Sequence, residues 1–379
     1  MSTITQSNIT LSPDQKVAVD TIERWLDTPS YKRGDLVMGG YAGSGKSTVI
    51  AYLYPRLKAE GMLFMAPTGK AADILRKKKM EACTVHQAIY IFRGLHERYD
   101  GNEVPIFEDR DGWQGGKDPR LLACDEASMV NASMYRDIQS KGVSCLFIGD
   151  MGQLAPVGED PRIMQNAHIK LEKIHRQAEG SYILRMAHSI RQGNSWSRDM
   201  VDNKSTFMAK LPTVTAKVSY AIEHGITQSI VSFNKTRHAF NKIYRAKTGK
   251  RGALDVGDRI VITHNDWNQM LFNGQLYTVT RVIDELDTYV RIDMKDELGN
   301  TRKNVTVQKI SLGNPDYKKS ERIEEHLECD YAYGITVHKS QGDSFSKTML
   351  VDEVCSNWDM QRVRYTGVTR AVDEIHVVL

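Results

Sequence analysis

This 379-residue chain is poor in cysteine, lacks any long apolar run and has almost no net charge, and each scarcity removes a class of function. Its five cysteines, Cys83, Cys124, Cys145, Cys329 and Cys355, are odd in number, widely spaced and never in a CxxC pair. That pattern argues against a disulfide framework or a zinc cluster and implies reduced, mostly buried thiols. A mean hydropathy of −0.44 leaves no room for a membrane span. The stretch from Met1 to Thr10 has neither a basic start nor an apolar core, so no signal peptide is expected and the cytoplasm is the default location. Lys and Arg number 51 against 47 Asp and Glu, and a net charge of +4 does not by itself identify a polyanionic partner.

Locally the charge is less even. Lys70, Arg76, Lys77, Lys78 and Lys79 face a single acid between Gly69 and Lys79, and Phe233 to Arg251 is basic throughout with no acid. Each run is either a solvated helix face or a surface that follows phosphates.

The length exceeds what one core supports, so two core domains are expected. Residues 12 to 177 alternate short apolar runs with helical patterns, as open α/β sheets do. Strands are expected at Asp35 to Met38, Met62 to Ala66, Leu121 to Cys124 and Val143 to Ile148, with helices at Lys46 to Leu57 and Lys70 to Lys79. The strands are apolar without alternation, which suits parallel strands covered on both faces. Between Arg93 and Lys117 the pattern breaks into five glycines, many charges and a few aromatics, the signature of an inserted hairpin. A second α/β unit reads from Ile226 to Ser232 (strand), Lys235 to Lys247 (helix), and Ala332 to Thr336, Thr348 to Asp352 and Glu374 to Leu379 (strands). It is interrupted from Leu254 by short β patterns with turn signals at Asn273-Gly274 and Gly299-Asn300, which suggests a small inserted barrel.

The chemistry begins at Gly40-Tyr41-Ala42-Gly43-Ser44-Gly45-Lys46-Ser47, a G-x-x-x-x-G-K-[ST] loop placed after one strand and before a helix. Its glycines let the backbone wrap phosphates with N–H groups inward, and the helix start adds a positive dipole. Lys46 would reach the β and γ phosphates and the Ser47 hydroxyl would ligate Mg²⁺. Asp125 and Glu126 end the Leu121 to Cys124 strand. They could merely cap the next helix, but beside such a loop they read as a magnesium-holding carboxylate and a general base. Ser12-Pro13-Asp14-Gln15 is a capping box, with Gln15 also a candidate adenine contact. Gln153, at the end of another core strand, could sense the γ-phosphate. Arg176 and Arg370, one in each half, are candidates to stabilise transition-state charge.

In this order the motifs resemble superfamily 1 helicases of the RecD-like and Dda-like branch. The matching stretches are Gln15, GYAGSGKST at Gly40 to Thr48, APTGKAA at Ala66 to Ala72, TVHQ at Thr84 to Gln87, DEASM at Asp125 to Met129, GDMGQLAPVG at Gly149 to Gly158, IHRQ at Ile174 to Gln177, YGITVHKSQG at Tyr333 to Gly342 and YTGVTRA at Tyr365 to Ala371. The resemblance implies an α/β chain of two RecA-like P-loop domains with parallel sheets. It puts the first at 1–177 with a pin hairpin at 93–117, and the second at 178–379 with an SH3-like β-barrel at 254–325. It implies an ATP-dependent DNA helicase moving 5′ to 3′. ATP and Mg²⁺ would be held by Gln15, Gly43, Ser44, Gly45, Lys46, Ser47, Thr48 and Asp125, with Glu126, Gln153, Arg176 and Arg370 acting on the γ-phosphate.

Single-stranded DNA and single/double-strand junctions are the implied substrates. They would be gripped by Pro67, Thr68, Lys70, Thr84, His86, Thr336, His338 and Lys339, with Phe107 stacking on a base and Trp113 as its competitor. A monomer is expected, working in bacterial or phage-infected cytoplasm with replication, recombination or repair proteins or a single-stranded-DNA-binding protein, and with no membrane. Ser344 stands where many relatives have an acid that contacts ribose. Two other readings stay open: a DNA-stimulated ATPase that strips proteins without separating strands, and a recombination-accessory DNA-binding module.

Overall fold

The computed structural model describes residues 10–97, 103–109, 118–173, 181–266, 269–297, 299–323 and 325–379. Contacts divide the chain into two compact units, one of Met1–Ile91, Phe107–Trp196 and Gln361–Thr369, the other of Phe92–Ile106, Ser197–Met360 and Arg370–Leu379.

The first unit opens with helix α1 (Pro13–Asp27), where Ser12 and Gln15 complete the expected capping box and Pro13 takes the first helical position. There follow along the chain β1 (Leu36–Gly40), α2 (Lys46–Ala59), β2 (Met62–Ala66), α3 (Gly69–Lys77), β3 (Ala82–Thr84), α4 (Val85–Ile89), β4 (Tyr90–Glu97), β5 (Glu103–Asp109), β6 (Leu121–Cys124), α5 (Ala132–Ser140), β7 (Cys145–Gly149), β8 (Ile169–Leu171) and α6 (Tyr182–Arg191), of which most of β4 and β5 groups with the second unit. Six strands form a sheet in the order β3-β2-β6-β7-β1-β8, with every pairing parallel. Strands β4 and β5 pair separately as a two-stranded sheet. Side chains alternate across the main sheet. Leu36, Met38, Leu146 and Ile148 join Ile22, Leu53 and Leu57 of α1 and α2, while Val37, Cys145 and Phe147 join Ile89 and Ile138 of α4 and α5. Both faces are covered, which explains the uninterrupted apolar runs.

The second unit contains β9 (Thr206–Ala209), α7 (Val214–Glu223), β10 (Gln228–Val231), α8 (Asn234–Lys247), β11 (Arg259–Ile262), β12 (Leu276–Glu285), β13 (Tyr289–Asp296), β14 (Thr301–Gln308), β15 (Cys329–Tyr331), β16 (Gly334–Thr336), β17 (Phe345–Val351) and β18 (Ala371–Val378). Its parallel sheet runs β16-β10-β17-β18-β9, and an antiparallel sheet runs β14-β13-β12-β11-β15. The antiparallel sheet has its own core of Ile260, Ile262, Val279, Val290, Ile292, Met294, Val305 and Val307. Gly274 at φ +89° and Gly299 at φ +85° make its turns, as their positions predict.

The stretch from Ala332 to Thr336, read from sequence as one strand, is shorter than expected. The chain changes sheets there, with Tyr331 paired to Ile260 in the antiparallel sheet and Gly334 to Ser229 in the parallel one. Helix α9 (Met360–Val368) lies in sequence between β17 and β18, yet from Gln361 it groups with the first unit. All five cysteines are free, four of them buried. Among the described residues no helix is long and apolar enough to cross a membrane.

Candidate active site

The loop from β1 to α2 is shaped by its glycines. Gly43 at φ +77° and Gly45 at φ +84° occupy the left-handed region, and a Cβ on Gly40 would lie 2.6 Å from the Ser44 hydroxyl. Gly45 caps α2 without a side-chain hydrogen bond; the Thr48 N–H turns back to the Gly45 carbonyl at 2.9 Å, and no side chain of the cap residue takes the place that an anion would fill at the helix start. Lys46 donates from Nζ to the carbonyls of Gly40 at 2.7 Å and Tyr41 at 3.1 Å, and lies 3.9 Å from Asp150. The Ser47 hydroxyl accepts from Lys78 Nζ at 3.2 Å.

One pocket is lined by Lys46, Ser47, Lys78, Asp125, Glu126, Asp150 and Gln153. Asp125 hangs from the end of β6, its N–H donating to the Met65 carbonyl at 3.0 Å and its Oδ1 accepting from the Glu126 N–H at 3.0 Å. Loss of solvation raises its pKa, opposed by that N–H, by Lys78 and by Lys46. Glu126 is a non-glycine residue at φ +53°, a costly backbone state that aims its chain from the head of a tight turn. Gln153 is 4% exposed, and its Oε1 has no hydrogen-bond partner among the described residues. A buried acceptor of this kind calls for a donor.

The donor set fits magnesium. The Ser47 hydroxyl and the Asp125 carboxylate are hard oxygen ligands, and no cluster of three or more His, Cys, Asp or Glu suited to a metal occurs among the described residues. Mg²⁺ is commonly held this way, by one or two protein oxygens completed by phosphates and water.

The other sequence-predicted residues are spread over both units. Gln15 is buried and its Oε1 accepts from the Ser12 N–H at 3.0 Å, so it caps its own helix. Gly43, Ser44, Gly45 and Thr48 stand in the loop and first turn of α2. Arg176 lies outside the described residues, and Arg370 belongs to the second unit, where it donates to the Asp343 carbonyl at 2.9 Å. Pro67 and Thr68 follow β2, Thr84 ends β3 and His86 follows it. These are adjacent strands with Ala66 opposite Thr84, so the sheet brings the four together at one edge. Thr68 and Thr84 also cap α3 and α4, and Lys70 stands in the first turn of α3. Burial lowers the His86 pKa.

In the second unit Thr336 ends β16. The His338 ring stands edge-on to Trp358 at 5.2 Å, and its pKa is lowered by burial. Lys339 is pushed down to about 8, by burial first and the Arg237 charge second. Phe107 lies on β5, Trp113 lies outside the described residues, and Ser344 is exposed.

Sequence reasoning passed over three contributors. Asp150 sits inside a quoted motif, but its neighbour Gln153 drew the attention. Lys78 is one of four consecutive basic residues. Tyr365 accepts from the Ala42 N–H at 2.7 Å and lies 3.0 Å from Asp150, tying α9 to the phosphate loop. Only the position of Tyr365 at the head of YTGVTRA could have drawn notice.

The chain matches the family described as AAA domain over residues 10–207. The ATP-dependent RecD2 DNA helicase of Deinococcus radiodurans is 25% identical over 89% of this chain, which spans 46% of that protein's length. A structure of Bacteroides Pif1 bound to ssDNA is 20% identical with a TM-score of 0.58, the match covering 98% of this chain and 92% of that one. The Pif1 helicase of Candida albicans is 17% identical with a TM-score of 0.56, over 98% and 94% of the two chains.

Proposed function

The chain belongs to the AAA domain family, and on that premise we propose that it is a superfamily 1 protein of the Pif1/RecD-like type, an ATP-dependent, magnesium-requiring DNA helicase moving 5′ to 3′ on single strands. The observation that carries this reading is the convergence of Lys46, Ser47, Asp125, Glu126 and Gln153 on one pocket at the carboxyl ends of parallel strands. In it Lys46 would neutralise phosphate charge, Ser47 and Asp125 would hold Mg²⁺, Glu126 would orient and deprotonate the attacking water and Gln153 would answer the γ-phosphate, while Arg176 and Arg370, which are not part of this lining, are proposed to stabilise transition-state charge. Gln15, whose Oε1 caps α1, is proposed to contact the adenine through its amide N–H.

Single-stranded DNA is gripped by Pro67, Thr68, Lys70, Thr84, His86, Thr336, His338 and Lys339. A translocase must hold the backbone rather than the bases, so weak sequence preference and steep salt dependence are expected. Phe107 on β5 is proposed to stack against the junction. The protein acts as a monomer in the cytoplasm.

Unwinding of matched duplexes bearing only a 5′ or only a 3′ tail tests activity and polarity together. Displacement from the 5′ tail alone supports the proposal, and comparable displacement from 3′ tails reverses the polarity. DNA-stimulated ATP hydrolysis without displacement would leave a translocase that does not separate strands. In the Phe107→Ala variant, unwinding should be lost while most of the stimulated ATPase remains.

A further inference from the structure

Lys78 belongs to no motif, yet the fold delivers it to the nucleotide pocket. Helix α3 ends in a two-bond C-terminal cap, with the Lys79 N–H on the Arg76 carbonyl and the Met80 N–H on the Leu75 carbonyl. Lys79 takes the left-handed position at φ +62°, and buried Met80 and Leu75 anchor the turn. This fixes the backbone of Lys78, whose ammonium lies 3.2 Å from the Ser47 hydroxyl beside Asp125 and Glu126. Lys46 instead serves the carbonyls of its own loop.

Ser47 and Asp125 are also the two side chains whose oxygens fit magnesium. An ammonium and a divalent cation both draw on the Ser47 hydroxyl lone pairs and the Asp125 carboxylate field, and their like charges set them against each other at close range. We propose that Lys78 is a tethered cation that competes with Mg²⁺ for the Ser47 hydroxyl and the Asp125 charge, and so sets the metal concentration at which nucleotide binds fully. The inference rests on the nucleotide site proposed above.

Calorimetric titration of the full chain with ADP, repeated across a series of Mg²⁺ concentrations, tests it. Lys78→Met should lower the Mg²⁺ midpoint about two- to fivefold, the range for an exposed ion pair, and should leave ADP affinity at saturating Mg²⁺ unchanged. Lys78→Arg should keep the wild-type midpoint. An unchanged or higher midpoint in Lys78→Met would overturn the proposal. So would ADP affinity lost at saturating Mg²⁺ in Lys78→Met but kept in Lys78→Arg, which would make Lys78 a phosphate ligand. No ADP binding by the wild-type chain at any Mg²⁺ concentration would overturn the nucleotide site and this inference together.

Discussion

Each of the two parallel sheets sends a strand into the start of a helix, and the two helix starts are finished in opposite ways. In the first unit β1 passes through glycines into α2, and its cap residue, Gly45, brings no side chain to the first-turn N–H groups. In the second, β10 passes into α8 and the Glu353 carboxylate closes the start. That carboxylate accepts from the Ser232 N–H at 2.7 Å, from the Phe233 N–H at 3.3 Å and from the Thr236 hydroxyl. A carboxylate there satisfies orphan donors and complements the helix dipole, the service a phosphate would perform at the first start. A strand-to-helix turn is thus a ligand site only where the chain withholds its own anion.

The severest way to break this contrast is to disarm the open start. Lys46→Ala should lower ATP hydrolysis at least about 100-fold, the scale for removing a group that stabilises transition-state charge, while single-stranded DNA binding persists. Glu126→Gln should stop hydrolysis to a similar degree but retain ADP and Mg²⁺, since Ser47 and Asp125 remain. Steady-state ATPase and filter-binding measurements on the same preparations check both. Retained turnover in Lys46→Ala would remove the loop from the chemistry.

The closed start is tested through stability. Glu353→Ala leaves two backbone N–H groups and a hydroxyl without their acceptor and should destabilise the second unit by about 1–3 kcal/mol. Urea unfolding followed by hydrogen exchange in α8 reads that loss. The variant should still bind a single equivalent of ADP. A second equivalent would show that the plug, and not the missing glycine loop, separates the two units.

What the sequence made legible follows from what local pattern can encode. Strands β2 and β6 lie where their apolar runs place them, because the sheet is covered on both faces and charged or turn residues bound them. The three-residue strands β3 and β8 are too short to show a period. In β14, residues 301–304 are exposed and burial begins only at Val305, so its first half reads as loop. The loop between β1 and α2 and the Asp125-Glu126 pair after β6 lie where the sequence pattern puts them, because such a pattern fixes residue types at fixed spacing. Lys78 and Tyr365 were not, because tertiary packing creates their roles, and 323 positions separate Tyr365 from Ala42.

Tyr365 therefore offers a smaller but sharper test of the open start. A Cβ on Gly152 would approach the Tyr365 ring to 2.7 Å, so the ring is packed against backbone and Tyr365→Phe should keep that packing. It removes the hydroxyl between the Ala42 N–H and Asp150. The orphaned donor should loosen the loop and weaken ADP binding about three- to tenfold, in line with about 1 kcal/mol for a hydrogen bond of this kind. Calorimetry at saturating Mg²⁺ measures it, and an unchanged Kd would detach α9 from control of the phosphate loop.

The smallest expected effect belongs to the second unit, where charge rather than capping is in question. Burial and the Arg237 charge hold the Lys339 pKa down to about 8, against the opposing pull of Asp330 and Glu328. A DNA phosphate favours the protonated lysine, so binding raises that pKa. Below pH 8 the free protein already carries the proton, and affinity should be flat. Above pH 8 the proton must be taken up on binding, and affinity should fall by no more than about tenfold per pH unit, the limit for one linked proton. Lys339→Arg keeps its charge throughout and should flatten the decline between pH 8 and 9, provided salt is held constant, because phosphate contacts are salt-sensitive. Fluorescence anisotropy with a labelled single strand gives both curves. An equal decline in the wild type and in Lys339→Arg would assign the titration to another group and take Lys339 off the DNA path.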